Sequence, residues 1–293
     1  MNTPAEHIYD DFAWLEEVDS DRALAWVRAR NAESEALLTA RPEYAALRPL
    51  LRAQLDDARR IPGVVRRGAW LYNLWQDAAH PRGLWRRTTL AEFRKDEPDW
   101  QTLLDVDALA AAEGENWVWA GAAVLGPQYR RAMIALSRGG ADACVQREFD
   151  LDARAFVEGG FALPEAKSEL AWIDADTLYV GTDFGPGTLT DSGYPRIVKR
   201  WKRGTPLAQA QTVFEGQPSH IWAVVQVDTT PGYERTLFER ATDFFHHERF
   251  LLGPDDRLVA FDIPPDSTPT FWRDTLLLQI RSDWQPAQTR FPA

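Results

Sequence analysis

Among 293 residues there is one cysteine, Cys144, and a single thiol excludes an internal disulfide. Cys144 sits in the run Ala143 to Phe149, where apolar and polar residues alternate, so a buried strand thiol is expected rather than a reactive one. Nowhere do about 18 apolar residues run together, so no membrane-spanning helix is expected. The opening residues MNTPAEHIYDDF lack a basic n-region and an apolar h-region; no signal peptide is expected, and cytoplasmic is the expected location. Basic residues are in deficit, 33 Lys and Arg against 44 Asp and Glu, for a formal charge of -11. Such an excess repels nucleic-acid phosphates and anionic lipid heads, so neither nucleic acid nor membrane is an expected partner.

Catalytic signatures are also missing. A nucleophile elbow needs Gly-x-Ser-x-Gly between a strand and a helix, because the strained turn pushes the serine oxygen out beside backbone donors. None of the eight serines meets that pattern. Ser192, in Thr190-Asp191-Ser192-Gly193-Tyr194, comes nearest, and Asp-Ser-Gly there reads as turn chemistry between strands. His246-His247-Glu248 invites a metal reading, but adjacent strand residues point to opposite faces and the HExxH spacing is absent; one histidine on a sheet face and one in the core are expected. Asp174, Asp176 and Asp183 could be imagined as glycosidase carboxylates, yet Asp174-Ala175-Asp176 reads as a hairpin turn. No metal and no cofactor are expected.

What the sequence has is tryptophan, 13 in all, and apolar residues at 45%, enough for a sizeable core. Trp70, Trp75, Trp117, Trp119, Trp172, Trp201 and Trp222 fall in strand-like runs, where large rings fill the space between stacked sheets; core packing is expected for all of them. From Ile61 the apolar period is two. Val64-Val65, Trp70 to Trp75, Leu84 to Thr89 and Trp100 to Leu104 make one four-strand cycle. Trp117 to Val124, Tyr129 to Ser137 and Ala143 to Phe149 make a second, with Arg138-Gly139-Gly140 as a hairpin signal. The third runs from Leu170 and Trp172 through Leu178 to Val180, Arg196 to Trp201 and Gln211 to Phe214. A fourth comprises Ile221 to Asp228, Glu234 to Phe244, Glu248 to Leu252 and Leu258 to Phe261, and Phe271 to Arg281 starts a fifth with a turn at Arg273-Asp274. A recurrence of roughly 45 to 55 residues is the period of β-propeller blades. A blade stopped at its second strand exposes a sheet edge, so the chain is expected to be a piece of a longer one. The basic run Arg196, Lys199, Arg200, Lys202 and Arg203 reads as a solvated strand edge that discourages pairing.

Residues 1–60 differ in texture from the remainder, 61–293. Asp19-Ser20 can cap a helix running to about Leu38, with Leu24, Val27 and Leu38 near one face, and Pro42 suits the first turn of a second helix in which Pro49 threatens a kink. Trp14, Leu15, Trp26 and the leucines from Leu47 to Leu55 are more than a two-helix arm can bury, so the arm asks for a partner surface. The fold class expected is mainly β: four to five propeller blades preceded by an N-terminal helical arm.

The run YDDFAWLEEVDSDRALAWVRARNAE resembles the N-terminal signature of the prolyl oligopeptidase family, matching at Tyr9, Asp10, Trp14, Leu15, Glu16, Ala25, Trp26, Val27 and Asn31. The resemblance implies a seven-bladed propeller inserted into an α/β-hydrolase domain, with the arm packed on the hydrolase and the propeller covering the active site. It implies a serine peptidase acting on short, proline-containing peptides, whose Ser, Asp and His all follow the propeller. On that basis this chain carries no catalytic residue and is inactive alone; its substrate-binding residues stay unassigned, and the exposed arm allows self-association. Two other readings remain open. A free-standing binding or interaction propeller would show an exposed aromatic patch on its ring-end loops, and a five-bladed glycosidase would bring carboxylates from different blades to the central channel.

Overall fold

The computed structural model describes residues 10–17 and 20–293; Tyr9 of the signature and Asp19 of the expected cap lie outside them. The chain divides into two compact units, Met1–Arg60 and Ile61–Ala293.

The first unit is helical. After a short 3-10 turn, Ala13–Glu16, come α1 (Asp21–Thr39) and α2 (Pro42–Leu55). Ser20 caps α1, its hydroxyl accepting from the Ala23 amide at 3.2 Å, one of the bare donors that every helix start must satisfy. Pro42 begins α2, where no amide hydrogen is needed, and α2 continues through Pro49. Within this unit Trp26 packs against Phe12 and Trp14 with centroids 6.3 and 6.4 Å apart, and Arg22 lies 4.0 Å over Trp14. Leu37, Leu38, Leu47, Leu50, Leu51 and Leu55 are exposed.

The second unit is a series of antiparallel sheets whose strands pair in chain order. The first holds β1 (Val65–Arg67), β2 (Trp70–Trp75), β3 (Leu84–Thr89) and β4 (Gln101–Asp105), with a one-turn α3 (Leu90–Phe93) between β3 and β4. A helix absent from the periodicity reading, α4 (Val106–Glu113), leads out of it. Its signals are local: Asp105 accepts from the Ala108 amide at 2.9 Å, and Gly114 closes it in the left-handed region. The second sheet has β5 (Trp117–Val124), β6 (Arg131–Arg138) and β7 (Cys144–Asp150), to which β8 (Ala155–Phe156) and β9 (Ala162–Ala166) both pair. The sequence pattern shows only the first three of these. Pro164, which cannot donate to a ladder, hides β9 and is tolerated because β9 pairs on one side only.

The third sheet is β10 (Glu169–Asp174), β11 (Thr177–Gly181), β12 (Ile197–Lys202) and β13 (Gln211–Glu215). The fourth is β14 (Trp222–Asp228), β15 (Arg235–Ala241), β16 (His247–Leu252) and β17 (Leu258–Ala260). The hairpin of β18 (Thr268–Trp272) and β19 (Thr275–Gln279) begins a fifth. The first strands of successive sheets, β5, β10 and β14, are neighbours, as propeller blades require.

Alternation along single strands places one core between each pair of sheets. On β6, Ala132, Ile134 and Leu136 enter the cluster shared with the first sheet, while Met133 faces Leu163, Trp172, Leu178 and Val180. On β11, Leu178 and Val180 face that second cluster and Tyr179 faces Phe214, Val225 and Phe238. Both faces of a middle blade are buried, which is why β6 and β11 read as nearly continuous apolar runs. Of the tryptophans expected in the core, Trp117, Trp172 and Trp201 are buried, while Trp70, Trp75, Trp119 and Trp222 are only half-buried.

The basic run is not a strand edge. β12 lies between β11 and β13, and several cations of the run are engaged: Arg196, just before β12, donates to Glu215 at 2.5 Å, Lys199 lies 4.2 Å over Phe184, and Arg200 donates to Asp256 at 2.9 Å, while Lys202 is exposed. Arg203, in the following turn, pairs with Glu148 of β7.

Candidate functional site

In an up-and-down sheet the turns between second and third strands and the links between sheets share one end of the ring. Ile61, leading into β1, is at that end too. The loops 76–83, 139–143, 182–196 and 242–246 form this rim, with the links 106–116, 216–221 and 261–267.

Residues singled out from the sequence are scattered over the unit. On this rim, Ser192 Oγ donates to the Ile221 carbonyl at 3.3 Å and lies 3.1 Å from Thr190 Oγ1, so its neighbours are another hydroxyl and a carbonyl rather than a base. Asp174 caps its own hairpin by accepting from the Asp176 amide at 2.7 Å, Asp176 pairs with Arg203 at 3.0 Å, and Asp183 accepts from the Gly185 amide at 2.8 Å. These three carboxylates serve turns and an ion pair. Cys144 is half-buried at the start of β7, and burial pushes its thiol upward, away from thiolate reactivity.

The loop between β15 and β16 is the most built part of the rim. Asp243 Oδ1 accepts from the amides of Phe245 at 2.8 Å and His246 at 3.0 Å, and His246 Nδ1 lies 2.8 Å from Asp243 Oδ2. The Phe245 amide, then the His246 ring, holds the Asp243 carboxyl below its ordinary range. The Thr242 amide donates to the His246 carbonyl at 2.9 Å and closes the turn. This scaffold presents Phe244 and Phe245 to solvent, 79% and 67% exposed, with rings edge to face at 5.3 Å. A rigid loop carrying two bare aromatic rings is a contact surface rather than a core element. Sequence reading passed over the pair because Phe244 looked like a strand end; the available signal was Asp243 placed two residues before an amide it can accept from.

His246 and His247 do not share a ligand. His246 is exposed in the loop, and His247 is half-buried on β16, its Nδ1 2.8 Å from Glu239 Oε1 and its ring 5.3 Å from that of Trp222; neither is a core histidine. Glu239 Oε2 accepts from Arg249 Nε at 2.8 Å. The Arg249 side chain is 9% exposed, and its Nη1 is buried without an acceptor. Arg249 forms part of the wall of two cavities. One, of about 660 Å³, lies between the β14–β15 face and β18; the other, of about 410 Å³, opens beside Phe244 and Phe245 and is bounded by Asp266, Ser267 and Arg281.

This rim belongs to a recognisable kind of domain. The family model described as "Prolyl oligopeptidase, N-terminal beta-propeller domain" matches residues 1–251. The chain belongs to the prolyl oligopeptidase family. It is 37% identical over 98% of its length to an uncharacterised peptidase of Sinorhizobium fredii, covering 40% of that protein, and 29% identical over 93% to an uncharacterised peptidase of Rickettsia prowazekii, again covering 40%. A solved post-proline cleaving enzyme from Rickettsia typhi is similar over 92% of this chain and 41% of that one, with a TM-score of 0.83 at 29% identity. The chain thus spans about 40% of the length of the curated relatives it matches. In this prolyl oligopeptidase family member the rim holds the candidate contact residues, Phe244 and Phe245.

Proposed function

We propose that these residues are the non-catalytic arm and propeller gate of a longer serine peptidase acting on short, proline-containing peptides, its α/β-hydrolase portion lying outside these 293 residues. The likeness to the post-proline cleaving enzyme of Rickettsia typhi carries this reading, since it holds over 92% of the chain at 29% identity. The described serines support it: the hydroxyl nearest to an elbow pattern, Ser192, has only Thr190 and a carbonyl as partners. A ring of blades admits extended peptides and excludes folded proteins by size, while a separate domain performs acyl transfer with a triad and an oxyanion hole.

The test is hydrolysis of a proline-containing chromogenic peptide by the 293 residues alone and by the same residues joined to the remaining three-fifths of the Sinorhizobium fredii relative. The expected outcome is turnover only by the joined protein. Turnover by the isolated chain that disappears with one of its serines, or an inert joined protein that still unfolds in a single cooperative step, would sink the proposal. A free-standing binding propeller is the second reading, favoured by the exposed Phe244–Phe245 pair on a ring-end loop.

A further inference from the structure

The smaller rim cavity, about 410 Å³, joins three features that local folding does not require. Two aromatic rings, Phe244 and Phe245, are bare at its mouth on a loop held rigid by Asp243. Arg249, nine-tenths buried in its wall, spends Nε on Glu239 and leaves Nη1 without an acceptor. Arg281, also on the wall, has no ion-pair partner among the described residues. Among the described residues the one carboxylate bounding the cavity, Asp266, accepts from the Ser282 hydroxyl at 2.9 Å, and Glu239, behind Arg249, is shared between His247 and Arg249. Two guanidinium groups with unused donors thus stand beside bare phenyl rings. Guanidinium donors match the two oxygens of a carboxylate, and phenyl faces match an apolar side chain or a proline ring.

We infer that this cavity binds a carboxylate of a short peptide, with the neighbouring apolar residue of that peptide against Phe244 and Phe245. The inference rests on the reading of the protein as peptide-handling and names the substrate group its rim selects. The carboxylate is either the peptide's C-terminus or an acidic side chain.

Binding to the 293-residue chain is measured by calorimetry with two pairs of N-acetylated, proline-containing tetrapeptides. One pair ends in Phe as the free acid or as the amide; the other pair is amidated and differs only in Glu against Gln beside the Phe. Loss of affinity of about 10-fold within the first pair assigns the C-terminus, and within the second pair the side chain. Either supports the inference if Arg281→Gln abolishes the difference while leaving the neutral peptide's affinity unchanged. Phe244→Ser with Phe245→Ser is expected to weaken acid and amide alike. Arg249 is a poor probe because its truncation leaves the half-buried Glu239 only half-paired, so the exposed Arg281 carries the test. Equal affinities within both pairs, no binding of any peptide by folded chain, or a difference that survives Arg281→Gln overturns the inference. None of those results touches the peptidase reading, which is decided by turnover of the joined protein.

Discussion

Glu148 of the second sheet and Arg203 of the third form a two-point ion pair across the blade interface, Oε2 to Nη1 at 2.8 Å and Oε1 to Nη2 at 3.0 Å. The Glu148 side chain is 0% exposed, and its Oε2 also accepts from the Phe161 amide at 2.9 Å. Burying a carboxylate is costly unless its lone pairs find donors, and here Arg203 from the facing sheet and the Phe161 amide of Glu148's own blade supply them. The pair therefore fixes which face of the second blade meets the third.

Removing Arg203 leaves the fully buried Glu148 carboxylate with the Phe161 amide and the more distant Arg131, whereas Arg203 freed of Glu148 keeps Asp176. Arg203→Ala is therefore expected to cost about 3–5 kcal/mol of unfolding free energy, read from urea denaturation, whereas replacing both residues by apolar ones of similar volume costs much less. A single substitution within about 0.5 kcal/mol of the parent would show that the interface does not depend on this pair.

Phe238 is fully buried between the third and fourth blades, with ring contacts to Tyr179 at 5.4 Å and Phe214 at 5.2 Å. Phe238→Ala removes those contacts and leaves a cavity, with an expected cost of about 3–5 kcal/mol. The same denaturation experiment checks it, and a loss under about 1 kcal/mol would mean that the third and fourth blades close over the gap.

Asp256, in the turn between β16 and β17, is held below the ordinary carboxylate range by its bond to Arg200 of the third blade. In the folded state this group gives up its proton more readily than in the unfolded one. Its contribution to stability is therefore complete above about pH 4 and is lost as pH falls through the depressed value. Asp256→Asn should flatten the acid limb of a melting-temperature profile recorded from about pH 6 to about pH 2. An unchanged slope would show that the pair adds nothing in solution, a real alternative for so exposed a contact.

The arm presents Leu47, Leu50, Leu51 and Leu55 to solvent, 54% to 66% exposed. Left without a covering surface, these residues are expected to make the 293-residue chain self-associate at high concentration, and Leu50→Gln with Leu51→Gln should return it to monomer in sedimentation. A wild-type chain that stays monomeric with rapidly exchanging arm amides would instead mean that the arm frays when uncovered.

Much of the fold was legible because its signals are local. Strand periodicity, the Asp174–Asp176 turn and the Gly139-Gly140 hairpin each lie within a few residues, and Gly139 and Gly140 both adopt the positive φ that the turn requires. The arm helices followed from a serine cap and a first-turn proline. Where the sequence misled, a local rule met a tertiary exception: Pro164 sits in a strand because β9 is paired on one side only, and the basic strand β12 is interior because its cations find partners on other elements.

The candidate site was not legible for a different reason. Phe244 and Arg249 share one hairpin but Arg281 comes from a separate segment after β19, and the Glu148–Arg203 pair spans 55 positions of chain. Sequence alone determined the blades, the arm and the absence of an elbow motif, since each depends on neighbours along the chain. Which charges are buried, which arginine donors stay unspent and which aromatic rings face solvent were decided only when the blades packed, because burial and pairing depend on residues far apart in sequence.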